Sequence, residues 1–246
     1  MVVRRVREHG ITRLTLDSPH NRNALSARLV QELYEALAAA ADDPGTRAVL
    51  LTHTGNTFCA GADLSEAGAG GAAPLGLVRL MRAVVELPKP VVAAVTGHVR
   101  AGGLGLLGAC DISVAGEGSS FAFTEARLGL APAVISIPLL PRLQPGAAAR
   151  YYLTGERFDA AEAARIGLIT VAGEPGEVLP AVLDGLRAAS PQGLAESKRL
   201  VTAGTLRAFD RDTDALAALS ARLFASDEAR EGVTAFLERR DPVWAR

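Results

Sequence analysis

Six residues, GLGLLG (Gly103 to Gly108), match the spacing G-x-G-x-x-G of a dinucleotide-binding loop, and an acid, Glu125, stands 20 positions after Gly105. In such a loop the glycines let a pyrophosphate approach the backbone at a helix N-terminus, and the acid holds a ribose hydroxyl. The neighbouring residues exclude that chemistry. The apolar run VVAAVTG ends near Thr96, and GHVRA separates it from the glycines. Only eight positions separate Gly103 from Asp111, where the next strand-like run, DISVAG, opens. A crossover with its helix needs at least about 10–12 residues. Glu125 also lies beyond that second strand instead of at its end.

The same glycines permit other chemistry. A short helix opening at Gly102 and Gly103 presents free N–H groups, whose dipoles favour an anion. On this stretch alone, small residues equally serve tight packing of helix on sheet. A second glycine loop, FCAGAD (Phe58 to Asp63), follows another strand-like run that ends near Thr52. Two such loops after two strands of one sheet can set two N–H donors side by side, which is the geometry of an oxyanion hole.

The elements that must position these loops alternate between strand and helix. VVRRVREHGITRLTLD reads as a hairpin turning at His9-Gly10. SPHNRNALS is a turn, and Ser26 caps a helix with Leu29, Val30, Leu33 and Leu37 on one face. TRAVLLTHTG is a buried strand, and NTFCAGADLSE is a loop. Residues 66–76, EAGAGGAAPLG, carry almost no specifying side chains and read as a mobile loop. LVRLMRAVVELP is helical up to its prolines, and VVAAVTG is a β-branched strand. After Pro141 the pattern is helical to Arg246. The chain is thus α/β at the front and helical at the back, with no internal repeat.

Composition narrows the class of function. The chain has 246 residues, 49% of them hydrophobic, enough for a sizeable core. Its 26 basic and 27 acidic residues leave a net charge of −1, without a basic stripe interleaved with aromatics, which argues against nucleic acid as a partner. Apolar runs are broken by Gly, Pro or charge before a spanning length, so no membrane association is expected. The N-terminal stretch has neither a signal core nor transit-peptide character. Cys59 and Cys110 do not make a disulfide framework in a chain this long; they read as small buried apolar residues of a cytoplasmic protein. His9, His20, His53 and His98 lack metal-ligand spacing, so no metal site is expected.

Taken together, ITRLTLDSPHNRNALS, FCAGADL, KPVVAAVTGHVRAGGLGLLGACDISVA, FAFTEARLGLAP, YYLTGERFDAAEAARIGLI and FASDEAREGVTAFLERR resemble the enoyl-CoA hydratase/isomerase (crotonase) superfamily over nearly the whole chain. The resemblance implies an α/β fold, a crotonase-like spiral of ββα units over residues 1–190, and a helical C-terminal trimerisation region over residues 191–246. It implies an acyl-CoA substrate, with coenzyme A part of the substrate and no separate cofactor, and a homotrimer or dimer of trimers. The Ala/Leu-rich tail, with more apolar surface than one small domain covers, agrees with association.

By the same resemblance the thioester oxygen lies between the backbone N–H groups of Ala62 and Gly102, and Glu125 is the catalytic acid/base. The apolar FAF ahead of Glu125 favours a partly buried carboxyl with a raised pKa. Hydratases of the family usually carry a second glutamate, and its position holds Gly105 here. Coenzyme A contacts fall on Arg22, Ala24, Ala60, Asp63, Leu64 and Ser65, where Ser65 replaces a lysine often seen in the family; His20 and Arg22 could meet phosphates or simply be solvated turn residues. Three readings follow: an enoyl-CoA hydratase, an enoyl-CoA isomerase that one glutamate suffices to run, and a non-catalytic acyl-CoA binder. The oxyanion loops and Glu125 argue against the last.

Overall fold

The structure is a computed structural model, and it describes residues 1–66 and 72–245. The chain opens with the expected hairpin, β1 (Val3–Glu8) and β2 (Ile11–Leu16). His9 and Gly10 both take positive φ, 46° and 77°, as a tight two-residue hairpin loop requires. Helix α1 (Ala27–Asp42) begins where Ser26 Oγ accepts the Leu29 N–H at 3.2 Å. Then follow β3 (Ala48–His53), β4 (Thr57–Cys59), α2 (Ala72–Glu86), β5 (Val91–Val95), β6 (His98–Arg100), α3 (Gly102–Ala109), β7 (Ile112–Ala115) and β8 (Ser120–Ala122). A 3-10 turn, Glu125–Leu128, leads to α4 (Ser136–Leu139), α5 (Pro145–Thr154), β9 (Phe158–Asp159), α6 (Ala160–Arg165) and β10 (Val171–Ala172). Helices α7 (Pro175–Ala188), α8 (Pro191–Phe224) and α9 (Asp227–Glu238) complete the order.

Two sheets are built in alternation. The larger has the order β1-β2-β3-β5-β7-β10, parallel from β2 onward; the smaller has the order β4-β6-β8-β9, parallel from β4 to β8. Each turn of chain lays one strand in each sheet, and α2 and then α3 carry it into the next turn. This is the ββα spiral that the resemblance implied.

Alternating side chains of the larger sheet serve two faces. Leu14, Leu16, Val49, Leu51, Val91, Ala93 and Val95 pack toward α1 and α2 in the main core. Ile11, Ala48, Leu50, Val92 and Ala94 form a second layer under Leu179, Val182, Leu183 and Leu186 of α7. A parallel sheet covered on both faces reads as continuous apolar runs, as VVAAV does. Helix α8 is tied to this core by Lys198, whose Nζ lies 2.7 Å from Asp111 Oδ2 and donates to the carbonyls of Val84 and Lys89.

Three expectations need correction. GHVRA is not a spacer, since His98–Arg100 form β6, and the expected loop NTFCAGADLSE contains β4. Strands of three residues are too short to show period-2 alternation. Residues 72–76 of the expected mobile loop are the first turns of α2, where Pro74 is tolerated because first-turn N–H groups have no helical acceptor; residues 67–71 lie outside the described residues. Both cysteines are buried and free, and burial pushes their thiols up to about 12. Among the described residues no helix is long and apolar enough to cross a membrane.

Candidate active site

The smaller sheet positions the site. Its three parallel strands β4, β6 and β8 are neighbours, and their C-terminal ends point the same way. Ala62 lies three residues past the end of β4, Gly102 two past β6, and Glu125 three past β8. The sequence therefore delivers three groups to one edge of one sheet, the place where parallel strands leave a crevice.

The first loop is held by Asn23, which is fully buried. Its Oδ1 accepts the Ser18 N–H at 2.7 Å, and its Nδ2 donates to the carbonyls of Thr54 and Thr57 at 3.0 and 2.8 Å. Beyond it the 22–25 and 60–62 segments run alongside each other. Ala60 N–H donates to Arg22 O at 3.1 Å, Leu25 N–H donates to Gly61 O at 2.8 Å, and Leu25 and Ala62 form a parallel bridge. Gly61 has φ 92°, and a Cβ on it would come within 2.9 Å of Ala101 Cβ and 3.2 Å of Gly102 N. Only glycine lets this loop lie against the start of α3.

At Gly102 a Cβ would stand 3.6 Å from Ala62 N, 3.1 Å from Leu25 Cδ1 and 3.4 Å from Leu77 Cδ2. The Ala62 and Gly102 amides thus border one small space with apolar walls. Neither donates to a backbone carbonyl among the described residues. The preceding residue, Ala101, takes φ 45° and ψ −122°, outside the regions that L-residues readily adopt. Its N–H donates to Ala122 O at 3.2 Å, which joins the β6–α3 junction to the segment leading to Glu125.

Glu125 opens the 3-10 turn and is buried, with 8% of its surface exposed. Its Oε2 has no hydrogen-bond partner among the described residues. Burial pushes its pKa from 4.5 up to about 7, partly offset by its own backbone N–H. Tyr152 lies close enough to feel this carboxylate; its ring packs on Phe123 with centroids 4.6 Å apart, and Ser136 Oγ is 3.3 Å from its hydroxyl. Gly105, where the resemblance expects a second glutamate, sits inside α3, all of whose residues are buried. A Cβ there would come within 2.5 Å of Ile135 Cγ2 and 2.8 Å of Met81 Sδ. The space beside Gly105 is filled by the apolar side chains of Ile135 and Met81.

Arg22, Ala24, Ala60, Asp63, Leu64 and Ser65 all lie on or next to the paired loops. Asp63 is occupied structurally: its Oδ1 accepts the Ser65 N–H and hydroxyl, and its Oδ2 accepts from Asn21 Nδ2. The Ser65 hydroxyl and the other bonds hold its carboxyl below the usual range. Ser65, His20 and Arg22 are all exposed, Arg22 in a left-handed turn, φ 58°. Sequence reasoning missed Asn23, Ala101, Ile135 and Tyr152. Asn23 was visible only as a turn residue, and an alanine at positive φ leaves no trace in sequence.

The model of the family described as enoyl-CoA hydratase/isomerase matches residues 6–246. A crystal structure of an enoyl-CoA hydratase from Mycobacterium avium is 56% identical, with a TM-score of 0.94, covering 99% of this chain and 98% of that one. A crotonyl-CoA hydratase from Syntrophomonas wolfei is 34% identical over 95% of this chain and 94% of its own length. A carnitinyl-CoA dehydratase from Citrobacter koseri is 33% identical over 96% and 95%.

Proposed function

Because the chain belongs to the enoyl-CoA hydratase/isomerase family, we propose that it is an enoyl-CoA hydratase in which Glu125 alone handles both protons. The observation that carries this reading is the buried Glu125 carboxyl, whose Oε2 has no partner among the described residues, at the same sheet edge as two amides that donate to no carbonyl there. The thioester carbonyl enters the space bordered by the Ala62 and Gly102 N–H groups. Ionised Glu125 takes a proton from water as the water oxygen attacks C3, and negative charge moves onto the thioester oxygen. Donors already aimed at that oxygen stabilise it, each contributing roughly 3–4 kcal/mol by analogy with other oxyanion holes. The Glu125 carboxylic acid then gives its proton to C2. Across the cycle H and OH add to the double bond and Glu125 is restored. A pKa of about 7 suits a group that must be base and acid in turn near neutrality.

A second reading, isomerisation, draws on the Gly105–Ile135 contact. Without a second carboxylate to hold water, Glu125 could take a proton from C2 of a 3-enoyl-CoA and return it to C4. Incubation with crotonyl-CoA and with a 3-enoyl-CoA, followed by thioester absorbance and product mass, separates the two. Hydration adds the mass of one water and removes the conjugated absorbance; isomerisation keeps the mass and creates that absorbance. If neither substrate changes, both readings are wrong.

In this reading coenzyme A is part of the substrate, no separate cofactor or metal takes part, and Arg22, Ala24, Ala60, Leu64 and Ser65 border the thioester's carrier. Arg22 supplies positive charge and His20 a ring N–H for its phosphates. The protein works in the cytoplasm as a homotrimer or dimer of trimers, its spiral ending near residue 190 and the tail from 191 making the contacts. Exposed Leu200, Val201, Phe236 and Leu237 on that tail support association. Sedimentation as a monomer at micromolar concentration would contradict it.

A further inference from the structure

The outer face of the smaller sheet carries a second cluster, at its opposite surface from the core. His98 and Arg100 project from β6, Ser120 from β8 and Asp159 from β9; the registers place His98 beside Ser120 and Ser120 beside Asp159. Continuing the antiparallel register puts Arg157 opposite Ala122, which is paired with Arg100. The Arg100 guanidinium lies over Ser120. Its Nη1 donates to Val99 O at 2.9 Å and Ser120 O at 2.6 Å, and its Nη2 donates to Ser120 Oγ at 2.8 Å.

Ser120 Oγ accepts from Arg100 and lies 2.9 Å from His98 Nδ1, so its own hydrogen finds an acceptor in the tautomer that leaves Nδ1 bare. With Nδ1 accepting, the imidazole proton sits on Nε2, which has no partner among the described residues. Arg100 keeps N–H groups to spare, and the exposed Arg157 guanidinium makes no ion pair among the described residues. The nearby acids are turned elsewhere: Asp159 Oδ1 accepts the Glu162 N–H at 2.8 Å, and Glu156 is bonded to Arg150. Among the described residues neither Arg100 nor Arg157 has a carboxylate within ion-pairing distance. The His98 pKa is lowered first by burial and then by the Arg100 and Arg157 charges, and that of the half-buried Arg100 first by burial and then by the Arg157 charge.

We infer that His98, Arg100 and Arg157 form a binding site for a small oxyanion of the phosphate or sulfate type, separate from the thioester site. Two guanidinium groups suit tetrahedral oxyanions, and the Arg100–Ser120–His98 chain presets the remaining donor. An anion there would offset the Arg157 charge that lowers the proton affinity of His98 and Arg100.

Sulfate is the probe, because it does not titrate near neutrality. Isothermal titration at low ionic strength should show saturable 1:1 binding per chain. Arg157→Ala should weaken it at least about tenfold, the loss of one charge-assisted contact. Arg157 is exposed and outside the catalytic machinery, so turnover of crotonyl-CoA should stay unchanged. In NMR titrations the His98 imidazole pKa should rise in sulfate relative to chloride at matched ionic strength. The inference is overturned if binding does not saturate, if Arg157→Ala binds sulfate like the parent, or if His98 titrates identically in the two salts.

Discussion

Ile135 occupies the space beside Gly105 so closely that a single carbon on Gly105 would meet its Cγ2 at 2.5 Å and its Cβ at 2.8 Å. Ile135 is β-branched and stiff at χ1, so it has little room to yield. Gly105→Ala should therefore destabilise the protein by about 1–3 kcal/mol of overpacking, although alanine is the better helix former by about 1 kcal/mol. Urea denaturation checks the sign. Restoring a two-carboxylate site needs both Gly105→Glu and Ile135→Gly, and that double variant should raise the ratio of hydration to isomerisation. A folded double variant with the parental ratio would show that position 105 does not face the chemistry.

Glu125→Gln keeps shape and removes the base. The rate constant for turnover should fall about 10²–10⁴-fold, with acyl-CoA binding nearly unchanged. In the parent, hydration should rise with pH through an apparent pKa near 7, as the base ionises.

The same group predicts a stability profile. The folded pKa of Glu125, about 7, lies above its ordinary 4.5, so between these values the folded state binds more protons than the unfolded state. Stability from this group is fully present below pH 4.5 and is lost as pH rises through 7. Glu125→Gln has no such loss. It should be more stable than the parent at pH 8 by up to roughly 3 kcal/mol, with the difference closing below about pH 4.5. Melting temperatures of both proteins across this range provide the measurement.

Ala101 holds a backbone conformation that costs an alanine about 1–3 kcal/mol. Glycine adopts it freely but loses about 0.5–1 kcal/mol more entropy on folding. Ala101→Gly should leave a net gain of about 1 kcal/mol in denaturation experiments. If the strain serves to aim the Gly102 amide, the same variant should lose turnover while gaining stability.

Lys198 is the sole cation within ion-pairing distance of Asp111 among the described residues, and both are largely buried. Lys198→Met should destabilise by about 3–5 kcal/mol because an uncompensated carboxylate remains in the core. Adding Asp111→Asn should recover part of the loss, since an amide oxygen can still accept the Val91 N–H now held at 2.7 Å.

Long apolar periodicities were legible in the sequence: the hairpin at His9-Gly10, the Ser26-capped α1, VVAAV and the tail helices all lie where their patterns place them. The three-residue strands β4 and β6 were not, because alternation cannot register in so few residues. Their absence hid why FCAGAD and AGGLG sit together. The positions of Ala62, Gly102 and Glu125 were found through family motifs, while their common sheet edge emerged only from β4, β6 and β8 pairing in order. Ile135 was invisible for a different reason. Its contact with Gly105 joins residues 30 apart in sequence, and nothing local in AVIS signals it.

Successive turns of the spiral each contribute one group to the edge: an amide after β4, an amide after β6, a carboxyl after β8. The chemistry is therefore divided among segments that can vary one at a time. On the proposed reading, a substitution in the α3 turn, glutamate against glycine at 105, would alter how water is handled while the neighbouring turns kept their hold on the thioester. It also means that a growing chain lacks a complete site until β8 has docked: one released short of Ser120 would hold both amides and have no acid to use them.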